Sequence, residues 1–312
     1  MVALHAVYRS YAGDNNKSRP LWFSKMLAAA SFARSAEQAG IFPVWLNDGP
    51  LPLAWTSMQH RYGTVHPIAG GPKGMRNSYV TALRFAIDSN WPDEDVVYFS
   101  EDDYLHTPDA LSALAAAAQE MPDVAYFALY ASAPGFAAER EWPEGYQYPQ
   151  EWKVAPARTA AGRQWLNVAS TASTFAARVG ALRADYRMFR LCMFPFRHMF
   201  LDHETCLLYQ GHRPYRGREY FTGLTPLGTG PIGTIKTALL TPCRFMLNAA
   251  AKRNENDPHH LYAVVPNLGC HMEVGVMTPG QDWEALALQT ARWAADEGIM
   301  PLPSWAKRHE SA

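Results

Sequence analysis

Cysteine is scarce in this chain, and the four present in 312 residues, Cys192, Cys206, Cys243 and Cys270, are widely spaced. They form no C-x-x-C pair and no dense framework, so a disulfide-stapled scaffold is not expected and a reducing compartment is the simpler reading. A surplus of either charge is also missing: 28 Lys and Arg stand against 29 Asp and Glu, for a net charge of -1. Composition therefore gives no global reason to expect a nucleic-acid or acidic-membrane partner, although charge can still be unevenly placed. No run reaches the roughly 18 apolar residues of a spanning helix, and MVALHAVYRSYAGDN shows no basic segment followed by an apolar stretch. The expectation is a cytoplasmic protein, with peripheral membrane contact left open. Walker A, G-x-S-x-G and H-E-x-x-H patterns are absent, which argues against a P-loop nucleotidase, a serine hydrolase and a zincin. GTGPIGT (228–234) is glycine-rich but lacks the strand-to-helix context of a dinucleotide site.

What is present is a chain 48% hydrophobic and 18% charged, able to bury a substantial core. LHAVY (4–8) and FPVWL (42–46) read as strands, separated by a helix that ends near Gly40. A proline-containing loop and the short segment GTVHPI follow, and MRNSYVTALRFAIDS then has helical spacing. VVYFS is the next strand. Thr107-Pro108-Asp109 supplies an N-cap, a first-turn proline and an early acid for ALSALAAAAQEM, and VAYFALYA (124–131) resumes strand character. This alternation predicts a mainly parallel sheet with helices on both faces, whose ligands gather beyond the carboxyl ends of the strands. Residues 134–165 read as irregular loops, WLNVASTASTFAARVGALRADY as strand, turn and helix, and 283–298 as a last helix; 222–257 has no clear period.

The stretch VVYFSEDDYLHTPDAL carries a buried strand straight into Glu101-Asp102-Asp103. Adjacent carboxylates repel one another and are costly to remove from water, so they are either solvated or neutralised by a cation. A hard divalent ion such as Mn²⁺ or Mg²⁺ suits them, because it prefers oxygen ligands and commonly bridges carboxylates to phosphate oxygens. The plain alternative is a polar turn leading to the next helix.

The order LHAVYRS, FPVWLNDG, GGPKGMRNSYVTA, VVYFSEDDYLHTPDAL resembles the GT-A-type nucleotide-sugar glycosyltransferases, in particular glycosyltransferase family 2, over residues 4 to about 115. That resemblance implies an α/β GT-A fold with a Rossmann-like sheet, in which 1–130 binds the donor and 131–312 carries acceptor and catalytic groups within one continuous domain. It implies that Arg9, Ser10, Asp48, Arg76 and Asp102 serve the nucleotide, and that Asp103 and Glu101 take the metal-binding acidic motif. VVPNLGCHMEVGVM resembles the family's late histidine segment, making His271 a metal ligand. MFLDHETCLLYQG resembles the acidic segment that supplies the base, with Asp202 first and Glu204 in reserve; an N-cap or helix-dipole role competes for both. His203 between them is more simply structural. ASTASTFAARVGAL resembles the small-residue wall of the sugar pocket, beside which Trp165 and Asn167 are placed to stack on and hydrogen-bond a sugar, or to belong to the core.

The activity so implied is a metal-dependent, inverting transfer of a sugar from a nucleotide-diphosphate sugar, UDP-sugar favoured, to a hydroxyl. The acceptor is open among a glycan, a lipid-linked saccharide and a nucleic acid. The rival readings are a non-catalytic nucleotide- or carbohydrate-binding protein of the same fold and a sugar-phosphate nucleotidylyltransferase, whose glycine-rich signature after the first strand is missing. Arg183, Arg187, Arg190 and Arg197 among aromatics, with three more arginines in HRPYRGREY, suit phosphate or a membrane surface, or are ordinary surface residues. His259-His260, in a charged loop, reads as solvated.

Overall fold

Val96–Ser100 is buried along its whole length because successive side chains enter opposite faces of a sheet that is covered on both. Val96 and Tyr98 join Ala6, Tyr8 and Phe32 on one face. Val97 and Phe99 join Val7, Leu83 and Leu182 on the other. The structure is a computed structural model that describes residues 2–13, 17–131, 152–194, 201–224 and 230–308.

In chain order the strands are β1 (Leu4–Ser10), β2 (Val44–Asn47), β3 (Thr64–Pro67), β4 (Val96–Ser100), β5 (Tyr104–His106), β6 (Tyr126–Ala128), β7 (Arg158–Ala160), β8 (Arg163–Asn167), β9 (Phe175–Arg178), β10 (Leu261–Val265) and β11 (Gly269–His271). The helices are α1 (Lys25–Gln38), α2 (Leu53–Tyr62), α3 (Met75–Asp88), α4 (Ala110–Glu120), α5 (Val179–Met193), α6 (Asp202–Tyr209), α7 (Glu219–Thr222), α8 (Gly230–Leu239), α9 (Thr241–Ala251), α10 (Trp283–Asp296) and α11 (Ser304–Arg308). Nine strands form one sheet in the order β3-β2-β1-β4-β9-β6-β10-β8-β7. Seven run one way; β9, between β4 and β6, and β8, between β10 and β7, run the other. The mainly parallel α/β sheet expected from the alternation is therefore present, and strands from both halves of the chain share it. Helices α1, α2, α4 and α10 cover one face and α3, α5, α6 and α9 the other.

A separate antiparallel ribbon pairs β5 with β11 and sets Tyr104 opposite His271. Leu105 and Cys270 from this ribbon pack with Leu27 of α1 and Trp283 of α10 in a third apolar cluster. Two strands far apart in sequence thereby bring a late histidine beside the acids that end β4.

Local expectations fail in instructive places. The proline-containing stretch after Gly49 is helical from Leu53: Pro52 precedes the first turn, where a missing N–H costs nothing. Thr107 is not the cap of α4; Asp109 holds that position, and the Thr107 amide instead reaches Leu268 at 2.9 Å. Within the stretch read as loop, β7 and β8 form the sheet edge, while residues 134–151 lie outside the described ones, as does Arg197. His259 is not solvated: its Nδ1 lies 2.6 Å from Asp185, which also accepts from Tyr126 and Asn254. That bond raises the His259 pKa above its ordinary value.

Arg178 closes the middle of the fold. From β9 its guanidinium donates to the carbonyls of Val124, Glu94, Ala118 and Met121 at 2.7–2.9 Å, tying the starts of β4 and β6 to the end of α4. A fork of fixed donors suits four divergent carbonyls in a way that an ammonium cannot. Arg178→Ala strands buried acceptors and is expected to lower unfolding stability by about 3 kcal/mol or more, with Arg178→Lys recovering less than half. Urea denaturation of the two variants checks this; a loss under about 1 kcal/mol for Arg178→Ala would remove the residue from that role.

Candidate functional site

The carboxyl ends of β1, β2 and β4 open into a cavity of about 680 Å³. Its floor is the acid triplet, and each acid has its own basic partner. Arg9, at the end of β1, donates to Glu101 at 2.5 Å while its other nitrogen bonds Ser78 at 3.0 Å. Lys25, the first residue of α1, lies 2.9 Å from Asp102 and also donates to the Tyr11 and Gly13 carbonyls. Asp103 meets Arg19 at 2.8 Å and Lys17 at 3.2 Å. Burial raises the Asp102 pKa even with Lys25 beside it. For Asp103 burial pushes the same way but is outweighed by the bond from His271 and by Lys17 and Arg19, which hold its carboxyl well below the usual range.

Asp48 lies at the end of β2, and its two oxygens accept from the backbone amides of Lys73 and Gly74 at 2.6 and 3.0 Å. It thus fixes the loop that opens α3. Gly71 is needed for that approach, since a Cβ there would come within 2.7 Å of the Gly49 nitrogen and 2.9 Å of Asp48. Ser10 accepts from Gln59, which also bonds Asn47, so the ends of β1 and β2 are clamped by α2. Arg9, Ser10, Asp48, Glu101, Asp102, Asp103, Asp202 and His271 all line the cavity; Arg76 and Glu204 do not. In the first turns of α3 it is Met75 and Ser78 that face it.

His271 stacks on Tyr104 with ring centres 4.9 Å apart, and its Nε2 lies 3.2 Å from Asp103. The histidine and the last acid of the triplet, 168 residues apart, are thus neighbours. Whether they form a metal centre turns on what stands between them. The Lys17 ammonium lies 2.9 Å from His271, 3.2 Å from Asp103 and 3.4 Å from Glu273. Asp103, Glu273 and His271 thus surround a lysine nitrogen, and the described residues contain no group of three His, Cys, Asp or Glu arranged to hold an ion. A Mn²⁺ or Mg²⁺ held by Glu101, Asp103 and His271 would have to displace the Lys17 ammonium, which lies between Asp103 and His271.

Across the cavity, Asp202 opens α6. Burial, then the charges of Glu101 and Glu204, push its carboxyl up to about 8, and its Oδ1 is buried without a partner. Glu204, two residues on, points away and accepts from Tyr215 at 2.8 Å. Ala172 and Ser173 form a small-residue wall beside Asp202. Trp165 and Asn167 take no part. The indole is fully buried against Phe127, and the amide is used by Gln210 and the Leu261 carbonyl.

Lys17, Arg19, Lys25 and Glu273 were not singled out from the sequence. The signal was available in part: KSR (17–19) lies in the polar stretch after β1, and three acids at a strand end, one buried and two half-buried, call for cations from somewhere nearby.

No family model matches the chain, and no curated protein matches it. Among solved structures it is similar to S. aureus TarS 1-349 in complex with UDP (13% identity, 66% of this chain and 54% of that one, TM-score 0.41). It is also similar to CMP:2-keto-3-deoxy-manno-octonic acid synthetase complexed with CTP (12% identity, 93% and 99%, TM-score 0.39). A third is the apo-form glycosyltransferase GlyE of Streptococcus pneumoniae TIGR4 (13% identity, 97% and 66%, TM-score 0.36). The chain thus spans about half of the TarS structure's length and two-thirds of GlyE's. These are distant likenesses, and the functional reading rests on the cavity itself.

The Lys25–Asp102 pair gives a stability test. Lys25→Met leaves the Asp102 carboxylate without a counter-charge, held only by the Tyr11 amide, and is expected to cost about 3 kcal/mol. The loss should be larger at pH 8 than at pH 5, because protonation relieves the stranded charge at low pH. Equal losses in urea melts at the two pH values would show that packing, not charge, accounts for the effect.

Proposed function

We propose that the protein is a glycosyltransferase that moves a sugar from a nucleotide-diphosphate sugar to a hydroxyl acceptor with inversion. The observation that carries this is one cavity lined both by Arg9, Lys17, Lys25 and Lys73, the first three held in place by the acid triplet, and by Asp202, a carboxyl that holds its proton and has an oxygen without a partner. A diphosphate lies against the first set, beyond the ends of β1 and β4. The acceptor hydroxyl then loses its proton to Asp202 as its oxygen bonds the anomeric carbon, and the bond from that carbon to the diphosphate oxygen breaks. Lys17 and Arg9 offset the charge left on the departing diphosphate, the role a preorganised donor serves best when water is excluded. Asp48 and Ser10 shape the base and ribose end, and the Ala172–Ser173 wall admits a sugar ring. UDP-sugar is the favoured donor on the family resemblance.

A carboxyl with a pKa of about 8 holds its proton at neutral pH, so the free protein is short of base below that value. With donor saturating, kcat/KM for the acceptor is expected to rise about tenfold per pH unit toward pH 8 and to level above it. Asp202→Asn should cut turnover by about 10²–10⁴-fold while leaving nucleotide affinity unchanged. Product formation followed by mass spectrometry, with calorimetric nucleotide titration, separates the two; intact turnover in Asp202→Asn would sink the assignment, and binding with no turnover in the parent would make the protein a binding module.

The place of Lys17 is tested on the same protein. UDP affinity is expected to survive a chelator and to fall about tenfold in Lys17→Ala. Affinity that appears only when Mn²⁺ is added would show the lysine giving up its place to the ion.

A further inference from the structure

Helices α7, α8 and α9 carry large apolar side chains on their exposed side. In α8 the exposed side chains include Ile235, 61% accessible, and Leu239, 72%, one turn apart, whereas Thr237 is buried. In α9 Phe245 and Met246 are about half exposed, whereas Arg244 and Asn248 are buried beside Leu247 and Ala251. Phe221, at the end of α7, is 60% exposed, and its neighbour Tyr220 stacks on Phe245 with ring centres 4.2 Å apart. An ordinary surface helix shows the opposite pattern.

The inversion is fixed from beneath. Arg244 donates to the carbonyls of Tyr220, Phe221 and Thr237 at 2.8–3.2 Å, joining the three helices by one guanidinium. Asn248 exchanges two bonds with the Tyr215 backbone and donates to the Tyr220 hydroxyl. Rotating either helix to hide its apolar side would strand these buried polar groups, at a cost that apolar burial does not offset. The outward apolar face is therefore part of the folded design, and a contiguous patch of this kind marks a contact surface.

Charge identifies the partner. Residues 216–253 carry six Lys and Arg and a single acid, Glu219, in a chain whose net charge is -1. Lys236 on α8, Arg218 before α7, and Lys252 and Arg253 after α9 are all exposed. Aromatic and aliphatic side chains rimmed by basic ones fit the boundary between headgroups and acyl chains of an anionic bilayer. No helix among the described residues is long and apolar enough to cross one, so the contact lies in the plane of the surface.

We infer that the α7–α9 face is a docking surface for anionic lipid membranes, with Phe221, Ile235, Leu239, Phe245 and Met246 entering the interface and the basic residues meeting headgroups. The inference stands apart from the transferase reading. Because α6, which begins with Asp202, packs against α9, it also sets the cavity close to that surface. Co-sedimentation with vesicles of phosphatidylcholine alone, and with one-third phosphatidylglycerol, tests it on the full chain. Binding is expected only with the anionic lipid, weakening as salt rises, and falling at least about tenfold in Ile235→Asp/Leu239→Asp. The double variant should keep the parent's melting temperature, since both side chains already face outward; Lys236→Glu provides a second variant that leaves the apolar face intact and should weaken binding by about fivefold. Absence of vesicle binding by the parent overturns the inference, as does binding unchanged in both variants. Self-association in analytical ultracentrifugation that both variants abolish, without lipid binding, would assign the face to a second copy of the chain instead.

Discussion

Three carboxylates in a row at the end of a buried strand are the constraint around which this structure is arranged. They repel one another and cannot be left dry and bare, and the fold answers with a separate cation for each. Those cations come from different places: Arg9 from the neighbouring strand, Lys25 from the first turn of α1, Lys17 and Arg19 from the loop between them. The β1–α1 connection is thereby tied to the end of β4, and the cavity inherits basic side chains that are held in place by acids. Pairing of this kind positions more than it stabilises, since desolvation takes back much of what attraction contributes.

How much of this could be read from the sequence follows from the range of the interactions involved. Periodicity is local, and it located β1, β2, β4, α3 and α10 and the two-faced sheet they imply. Eight of the ten residues named as site candidates line one cavity, because strand ends and the order of elements place them there. Arg76 and Glu204 miss it by their rotation about α3 and α6, a quantity that spacing from a motif does not determine. Asp202 and Glu204 are two residues apart, so on a helix they face different directions. One meets the cavity, the other Tyr215.

The harder part lay in what was not near in sequence. His271 meets Asp103 only because β11 pairs with β5 in the register that sets it opposite Tyr104. Lys17 then completes the neighbourhood. Three acids invite an ion as the neutralising partner when the strand is viewed alone; a folded chain has other charges to bring, and here a polar loop of turn-forming residues delivers an ammonium to the same point. Trp165 shows how such alternatives resolve: an aromatic next to a small-residue segment suits either a sugar platform or the core, and in β8 its side chain belongs to the core.

The same reasoning explains why residues 222–257 resisted reading. A helix in water announces itself by hiding its apolar side, and the hydrophobic period can be read from the text. Here the buried side of α9 mixes Arg244 and Asn248 with Leu247 and Ala251, and large apolar residues also face outward. Arg244 and Asn248 are the residues that fix the helices, and the apolar positions are left for solvent or for whatever covers them. A pattern search tuned to apolar cores sees glycine, proline and basic residues without a period, since the organising feature is a hydrogen-bond network among backbone carbonyls. Polar groups inside with apolar groups outside is a stable arrangement in two steps: the network pairs the Arg244 and Asn248 side chains with carbonyls and a hydroxyl, and the exposed face gains free energy only when something apolar meets it. The first step is complete within this chain, and the second requires a surface the chain does not itself supply.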